Sequence, residues 1–168
     1  MKKRLYIFIA LIILALSFTA CGEKQDSAVL SRDFQGEVWN RFDCLEASYN
    51  VIEPMTADVV MDIYVSDVYP NVYPHHDDDG SFTVTMSIKG PDGSGRVREY
   101  RFRLKDKDGN FKSEKVDGYY HFSLPMLSEM YFGAKGDYRF KIENRYSYDP
   151  LYGIKRLSIN CLQIKKIK

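Results

Sequence analysis

Apolar and polar residues alternate along most of the chain, which is the pattern of strands in a sheet with one face in water. The clearest case is residues 81–90. Its apolar members are Phe82, Val84, Met86 and Ile88. Further strands are predicted at residues 37–43, 57–65, 100–104, 120–124, 138–142 and 154–164.

Turn residues separate these strands. Residues 90–95 and 105–110 are rich in glycine and aspartate and predict hairpin loops. One short helical turn is predicted at residues 128–132, after Pro125. Short strands at this spacing predict an all-β fold, an antiparallel β-sandwich of about seven or eight strands, Ig-like or jelly-roll-like. The residues expected inside it are Trp39, Phe82, Val84, Met86, Tyr100, Phe102, Phe122, Tyr138, Phe140 and Ile142.

The first 20 residues have the organisation of an export signal. Residues 2–4 are basic and residues 5–16 form an apolar stretch too short to span a bilayer. Ala20 followed by Cys21 resembles the lipobox of bacterial lipoproteins. We therefore predict a lipoprotein signal peptide at residues 1–20, with Cys21 acylated; an ordinary secretory signal followed by a chance cysteine is the alternative.

Acylation of Cys21 would fix the mature protein to a membrane of the cell envelope, because several buried acyl chains make anchoring effectively permanent. Gly22 follows it, unlike the Asp of an inner-membrane retention signal, so the outer membrane is expected. Residues 21–35 are polar and predict a tether, and residues 36–168 the sandwich domain.

Charge excludes one class of function. The chain has 24 basic and 23 acidic residues, but three of the basic and none of the acidic residues lie in residues 1–20. The mature protein is therefore slightly acidic, which excludes a basic nucleic-acid binder.

No sequence motif predicts catalysis. A Gly-x-Ser-x-Gly turn, which presents the nucleophile in many hydrolases, is absent from the sequence. Residues 75–79 read His-His-Asp-Asp-Asp and have the side-chain types of a metal site, but adjacent residues cannot all face one ion. We expect a solvated loop there, and no catalytic residue, metal or cofactor.

Cys44 and Cys161 remain once Cys21 is acylated. An oxidising compartment would permit a disulfide between them, and two buried free thiols are the alternative. Tyr138 follows Gly136 and Asp137 at the start of a strand, which resembles the tyrosine corner of sandwich folds; an ordinary core tyrosine is the other interpretation.

Aromatic residues supply the candidate binding surface. Trp39, Tyr69 and Tyr73 are the candidate partner-binding residues. Together with Tyr119 and Tyr146 they are also candidates for stacking on sugar rings, although most aromatic residues at alternating strand positions lie in a core.

Several segments together resemble one family, the gliding-motility lipoprotein GldH of the Bacteroidetes. The segments are residues 38–42, 62–65, 69–74, 84–93, 106–111, 132–143 and 151–154. The chain departs from the family pattern in the inserted loop at residues 75–79 and in Phe111, where the family tends to have Trp.

The resemblance implies a non-catalytic envelope lipoprotein that contacts proteins of the gliding or type IX secretion machinery. It carries over no catalytic residue. A surface carbohydrate-binding β-sandwich is the alternative function.

Overall fold

The computed structural model describes residues 27–70, 81–147 and 149–164. The predicted signal peptide, Cys21, Tyr73 and the loop at residues 75–79 lie outside them. The described residues form eleven strands and a 3₁₀ turn at Gln35–Glu37. The strands are β1 (Ser27–Asp33), β2 (Val38–Trp39), β3 (Leu45–Val51), β4 (Met55–Val65), β5 (Phe82–Lys89), β6 (Gly95–Phe102), β7 (Lys115–Val116), β8 (Tyr119–Phe132), β9 (Gly136–Asn144), β10 (Leu151–Tyr152) and β11 (Ile154–Gln163).

The strands pair antiparallel in two main sheets. The five-stranded sheet has the order β1-β11-β4-β8-β7 and the four-stranded sheet the order β3-β9-β5-β6, while β2 pairs with β10. Inward-facing side chains of both main sheets join one hydrophobic cluster. The predicted antiparallel β-sandwich is confirmed, and its eight long strands match the expected number.

Alternation explains which face of each strand is buried. In β4, every second residue from Ala57 to Val65 is fully buried. In β5, every second residue from Phe82 to Ile88 is buried as well, with at most 3% of its surface exposed. Each large apolar side chain removed from water contributes about 1.5–3 kcal/mol. Of the ten predicted core residues, eight are buried; Phe102 and Phe122 are partly buried against the same cluster.

The predicted tether and helix need correction. Residues 27–33 form β1, because their backbone pairs with β11 and Val29 and Leu30 pack against the core. The sandwich therefore includes β1, and the predicted start of the domain at residue 36 is wrong. Residues 128–132 are not helical; they end β8, where pairing with β4 buries Phe132 and Asp58 accepts a 2.8 Å hydrogen bond from the bulged Glu129 N–H.

The two ends of the sandwich differ in the length of their connections. We call one the short-hairpin end, because residues 52–54, 90–94 and 133–135 make tight turns there. The other is the long-loop end, where longer connections run between the sheets. These connections are residues 34–44, 66–81, 103–118 and 145–153.

Gly153 joins three segments of the long-loop end. Its N–H donates to the Glu37 carbonyl at 2.8 Å, and its carbonyl accepts the Ser66 N–H at 2.9 Å. Its φ is +81°, and an added Cβ would lie 2.5 Å from the Tyr69 backbone nitrogen. Only glycine satisfies both the conformation and the close approach.

Tyr138 forms the bond expected of a tyrosine corner. Its hydroxyl accepts the Ala134 N–H at 3.1 Å, and its buried ring packs edge-on against Phe132 with centroids 4.9 Å apart. The side chain therefore serves both the corner and the core.

Cys44 and Cys161 are free thiols, which favours the free-thiol alternative over the disulfide, although only Cys161 is buried. Cys44 is exposed before β3, where its Sγ lies 3.7 Å from Glu143 Oε1. Cys161 is buried on β11 in the other main sheet. The two thiols thus lie in different environments, one before a strand of the four-stranded sheet and one within the five-stranded sheet.

Substitution of Gly153 tests the junction at the long-loop end. Gly93 is a matched control, because its φ is +82° but nothing lies within 4 Å of an added Cβ. We expect Gly93→Ala to lower the free energy of unfolding by about 1–2 kcal/mol, the cost of left-handed backbone. Gly153→Ala should cost at least about 2 kcal/mol more, because the Tyr69 backbone must move. Urea unfolding followed by Trp39 fluorescence measures both, and equal losses would contradict the packing argument.

Thiol labelling tests the cysteine assignment. Burial raises the pKa of Cys161 to about 12, so almost none of it is thiolate at pH 8. In the Cys21→Ser protein, we expect maleimide to modify Cys44 at least about 100-fold faster than Cys161. Unfolding in urea should equalise the rates, and Cys44→Ser should abolish the fast phase. If neither cysteine reacts until a reductant is added, the two form a disulfide and the free-thiol assignment is wrong.

Candidate functional site

The structure buries two of the three predicted partner-binding residues. The Trp39 ring lies between Phe34 and Phe82, with centroids 5.2 and 6.3 Å away, and is fully buried. Tyr69 is also buried, next to Phe111. The prediction that Trp39 and Tyr69 present their rings to a partner is therefore wrong: both hold the long-loop end together. Tyr73 lies outside the described residues.

A polar concavity lined by described residues lies at the long-loop end; we call it the arginine cleft. Its volume is about 450 Å³. The elements that form it are the turn after β2, the start of β5 and the ends of β6 and β9. It is lined by Arg41, Ser81, Thr83, Glu99, Arg101, Asn144, Arg145, Tyr146 and Ser147.

Hydrogen bonds fix one side of the arginine cleft. The Arg41 guanidinium donates through Nη2 to the carbonyls of Tyr146 at 2.7 Å and Ser147 at 2.5 Å. The Arg41 N–H donates to Asp149 Oδ1 at 2.8 Å. The Arg41 side chain is thus held in position by the protein itself, without a ligand.

Asn144 forms the buried floor. Its Nδ2 donates to the Trp39 carbonyl at 3.2 Å, and its Oδ1 accepts the Tyr146 N–H at 2.9 Å. Both bonds are buried, so they stabilise the loop more than exposed bonds would. The only tryptophan of the chain therefore supports the cleft from beneath, although it does not line it.

Backbone register brings the other two arginines together. Arg101 pairs with Thr83 across β5 and β6, and the Arg145 N–H donates to the Thr83 carbonyl at 3.0 Å. Both arginines are exposed. With Glu99 as the one carboxylate among the described lining residues, the cleft has an excess of positive charge. Guanidinium groups bind carboxylates and phosphates with paired hydrogen bonds.

One ion pair on the same sheet joins Lys141 and Glu143. Lys141 Nζ lies 2.9 Å from Glu143 Oε1, and this hydrogen bond holds the pKa of Glu143 below its ordinary value. Local pairing of this kind is what a solvated sheet face usually carries.

Exposed apolar side chains surround the long-loop end. Phe42 follows Arg41 and is 87% exposed, and Tyr152 on β10 is 52% exposed. Val68 and Val116 are exposed on two further connections of this end. Aromatic residues and arginine together are the side chains most enriched at protein interfaces.

A second polar cluster lies on the outer face of the five-stranded sheet. The His121 Nε2 and Asp62 Oδ1 atoms are 3.1 Å apart, and Asn160 Nδ2 donates to Asp62 Oδ2 at 2.7 Å. The Tyr64 ring stacks on His121 with centroids 4.6 Å apart. The cluster is partly exposed on a sheet face, so it offers an aromatic surface beside amide and carboxylate groups.

Lys105 is an anchoring residue that the sequence did not reveal. Its side chain is buried; Nζ donates to the Tyr69 carbonyl at 2.9 Å and lies 4.4 Å from the Phe111 ring centroid. Burial lowers the pKa of Lys105. Sequence analysis placed it at the start of a turn, and the turn is confirmed because Asp106 Oδ1 accepts the Asn110 N–H at 2.9 Å.

Within the described ranges, no group of three or more His, Cys, Asp or Glu side chains is placed to hold a metal ion. The loop at residues 75–79 lies outside those ranges. No helix that the structure describes is long and apolar enough to cross a membrane.

Comparison with known proteins assigns no family. No family model matches the chain, and no curated protein matches it significantly. Among solved structures, a family 35 carbohydrate binding module from Clostridium thermocellum is 14% identical over 80% of this chain and 89% of its own, with a TM-score of 0.38. An exo-beta-1,3-galactanase from Phanerochaete chrysosporium is 11% identical over 79% of this chain, with a TM-score of 0.31. This chain spans 29% of that enzyme. Neither likeness assigns a ligand to this protein.

Proposed function

We propose that this protein is a non-catalytic, lipid-anchored interaction component of a bacterial cell envelope, and that the arginine cleft recognises an acidic segment of an envelope protein. The observation that carries the proposal is the convergence of Arg41, Arg101 and Arg145 on one concave surface. The resemblance to the GldH lipoproteins supports the choice of gliding or type IX secretion machinery as the source of the partner.

The composition of the cleft supports a protein partner. Arg41 is held in place by the carbonyls of Tyr146 and Ser147, so less side-chain entropy is lost when a carboxylate binds. Phe42 beside it offers apolar area to the same partner. A cationic centre next to exposed aromatic area matches the composition of binding hot spots.

Carbohydrate binding is the second candidate, and it rests on the cluster around His121. Tyr64 provides an aromatic ring, and Asp62 and Asn160 provide groups that hydrogen-bond hydroxyls. Stacking on a ring combined with such hydrogen bonds is the chemistry by which proteins hold sugars. This cluster and the arginine cleft lie on different sheets, so separate variants can test them.

Charge reversal at Arg145 tests the proposed partner surface. A photoreactive amino acid in place of Phe42 should crosslink to one envelope protein in intact cells. We expect Arg145→Glu to reduce the crosslinked product at least about tenfold, because a like charge now faces the acidic segment. Arg139→Glu on the outer face of β9 is the matched control and should leave the product unchanged.

Two outcomes would contradict the proposal. Equal loss in both variants would indicate general electrostatic attraction rather than a site. Saturable binding to an envelope polysaccharide that is lost in Tyr64→Ala and retained in Arg145→Glu would establish the carbohydrate function instead.

A further inference from the structure

The direction of β1 determines which end of the sandwich is closer to the proposed anchor. Ser27 lies opposite Cys161 and Asp33 lies opposite Arg156 on β11. Since β11 begins at the long-loop end with Ile154, the chain enters the sandwich at the short-hairpin end. The start of β1 and the turns at residues 52–54, 90–94 and 133–135 therefore share one end.

The length of chain before Ser27 limits how far this end can be from the membrane. Only five residues separate Cys21 from Ser27. A fully extended chain spans about 3.3–3.6 Å per residue, so the link reaches about 20 Å at most. β4 has 11 residues, and its length of about 35 Å separates the two ends. The anchor is therefore too short to bring the long-loop end to the bilayer while the other end points away.

The short-hairpin end carries side chains suited to a lipid surface. Ile52, in the turn between β3 and β4, is 78% exposed, and Tyr131, near the end of β8, is 67% exposed. Met55 pairs with Phe132, which places the two turns side by side. Lys135 is exposed in the adjoining hairpin. Tyrosine and lysine are favoured where headgroups meet the acyl chains.

Three exposed carboxylates at this end are those of Asp92, Glu53 and Asp137. Asp137 Oδ1 accepts a hydrogen bond from Asn50 Nδ2 at 2.7 Å, which holds it against β3. Asp92 is the carboxylate of the 90–94 turn, and Ser94 donates to its Oδ1 from both N and Oγ, at 3.0 and 2.6 Å. Those bonds hold the pKa of Asp92 below its ordinary value and keep the carboxylate within its own turn. Glu53 is exposed beside Ile52 and can remain in water.

We propose that the short-hairpin end rests on the phospholipid surface to which Cys21 is anchored, with Ile52 and Tyr131 in the headgroup region. The arginine cleft then faces away from the membrane. This inference rests on the lipid anchor in the proposed function. Two side chains bury too little apolar area to hold the protein on a membrane by themselves, so the contact orients the domain and the acyl chains hold it.

Fluorescence quenching by brominated lipid tests the orientation. The acylated protein is reconstituted in vesicles of phosphatidylethanolamine and phosphatidylglycerol and carries one environment-sensitive label. The label is attached to native Cys44 at the long-loop end, or to Ile52→Cys or Tyr131→Cys in a Cys44→Ser background. Cys161 stays unlabelled because it is buried. We expect quenching at positions 52 and 131 at least about threefold stronger than at Cys44, since headgroup contact places the label close to the bromines.

The outcomes separate the orientation from the anchor. Mass spectrometry of the Cys21 peptide and vesicle flotation are measured first, with Cys21→Ser as the control that should not float. Absence of acyl chains would overturn the anchor and the orientation together. Acylated, floating protein with equal quenching at positions 44, 52 and 131 would overturn the orientation alone. Stronger quenching of a label at Val97→Cys, on the outer face of β6, would show that the domain lies on its sheet.

Discussion

The long-loop end depends on the close approach of Gly153 to the backbone of residues 66–69. One residue bonds Glu37 through its N–H and Ser66 through its carbonyl, and so joins segments that are far apart in sequence. Tyr69 is then held from its other side by Lys105. Long connections are usually less rigid than short turns. Here these hydrogen bonds hold the long connections in place, as the short turns hold the strands at the opposite end. The hydrogen bond between Asn144 and the Trp39 carbonyl connects this ordered region to the walls of the arginine cleft.

Much of the fold could be predicted because alternation is a local property. β4, β5 and β9 were predicted from their own residues, since one face of each is apolar and the other polar. β1 was missed because residues 27–33 show no sustained alternation, and pairing with the backbone of β11 orders them. Residues 128–132 were predicted to be helical because a bulge at Glu129 interrupts the two-residue period. In both segments, pairing with a strand distant in sequence determines the structure. A local sequence pattern contains no information about that pairing.

The candidate site was harder to predict, for a different reason. Arg41 and Arg145 come from two connections and Arg101 from the end of β6, and only strand register and loop packing bring them together. The aromatic residues were selected from the sequence because of their side-chain type. Side-chain type does not show whether a ring is buried beneath a surface or exposed on it. Trp39 shows this, because its Nε1 donates to the Asp43 carbonyl at 2.8 Å beneath the cleft. The buried Lys105 carried no signal, since lysine in a polar turn is expected to be solvated.

The position of β6 at the edge of its sheet bears on what happens when two copies of this protein meet. The unpaired backbone of an edge strand can join that of a neighbour. Arg96, Arg98 and Arg101 are all exposed on this strand. Two copies meeting edge to edge would bring these like charges together, so the arginines oppose the growth of a continuous intermolecular sheet. The charge of Arg101, which also lines the arginine cleft, thus helps to protect the open edge of the sheet from self-association.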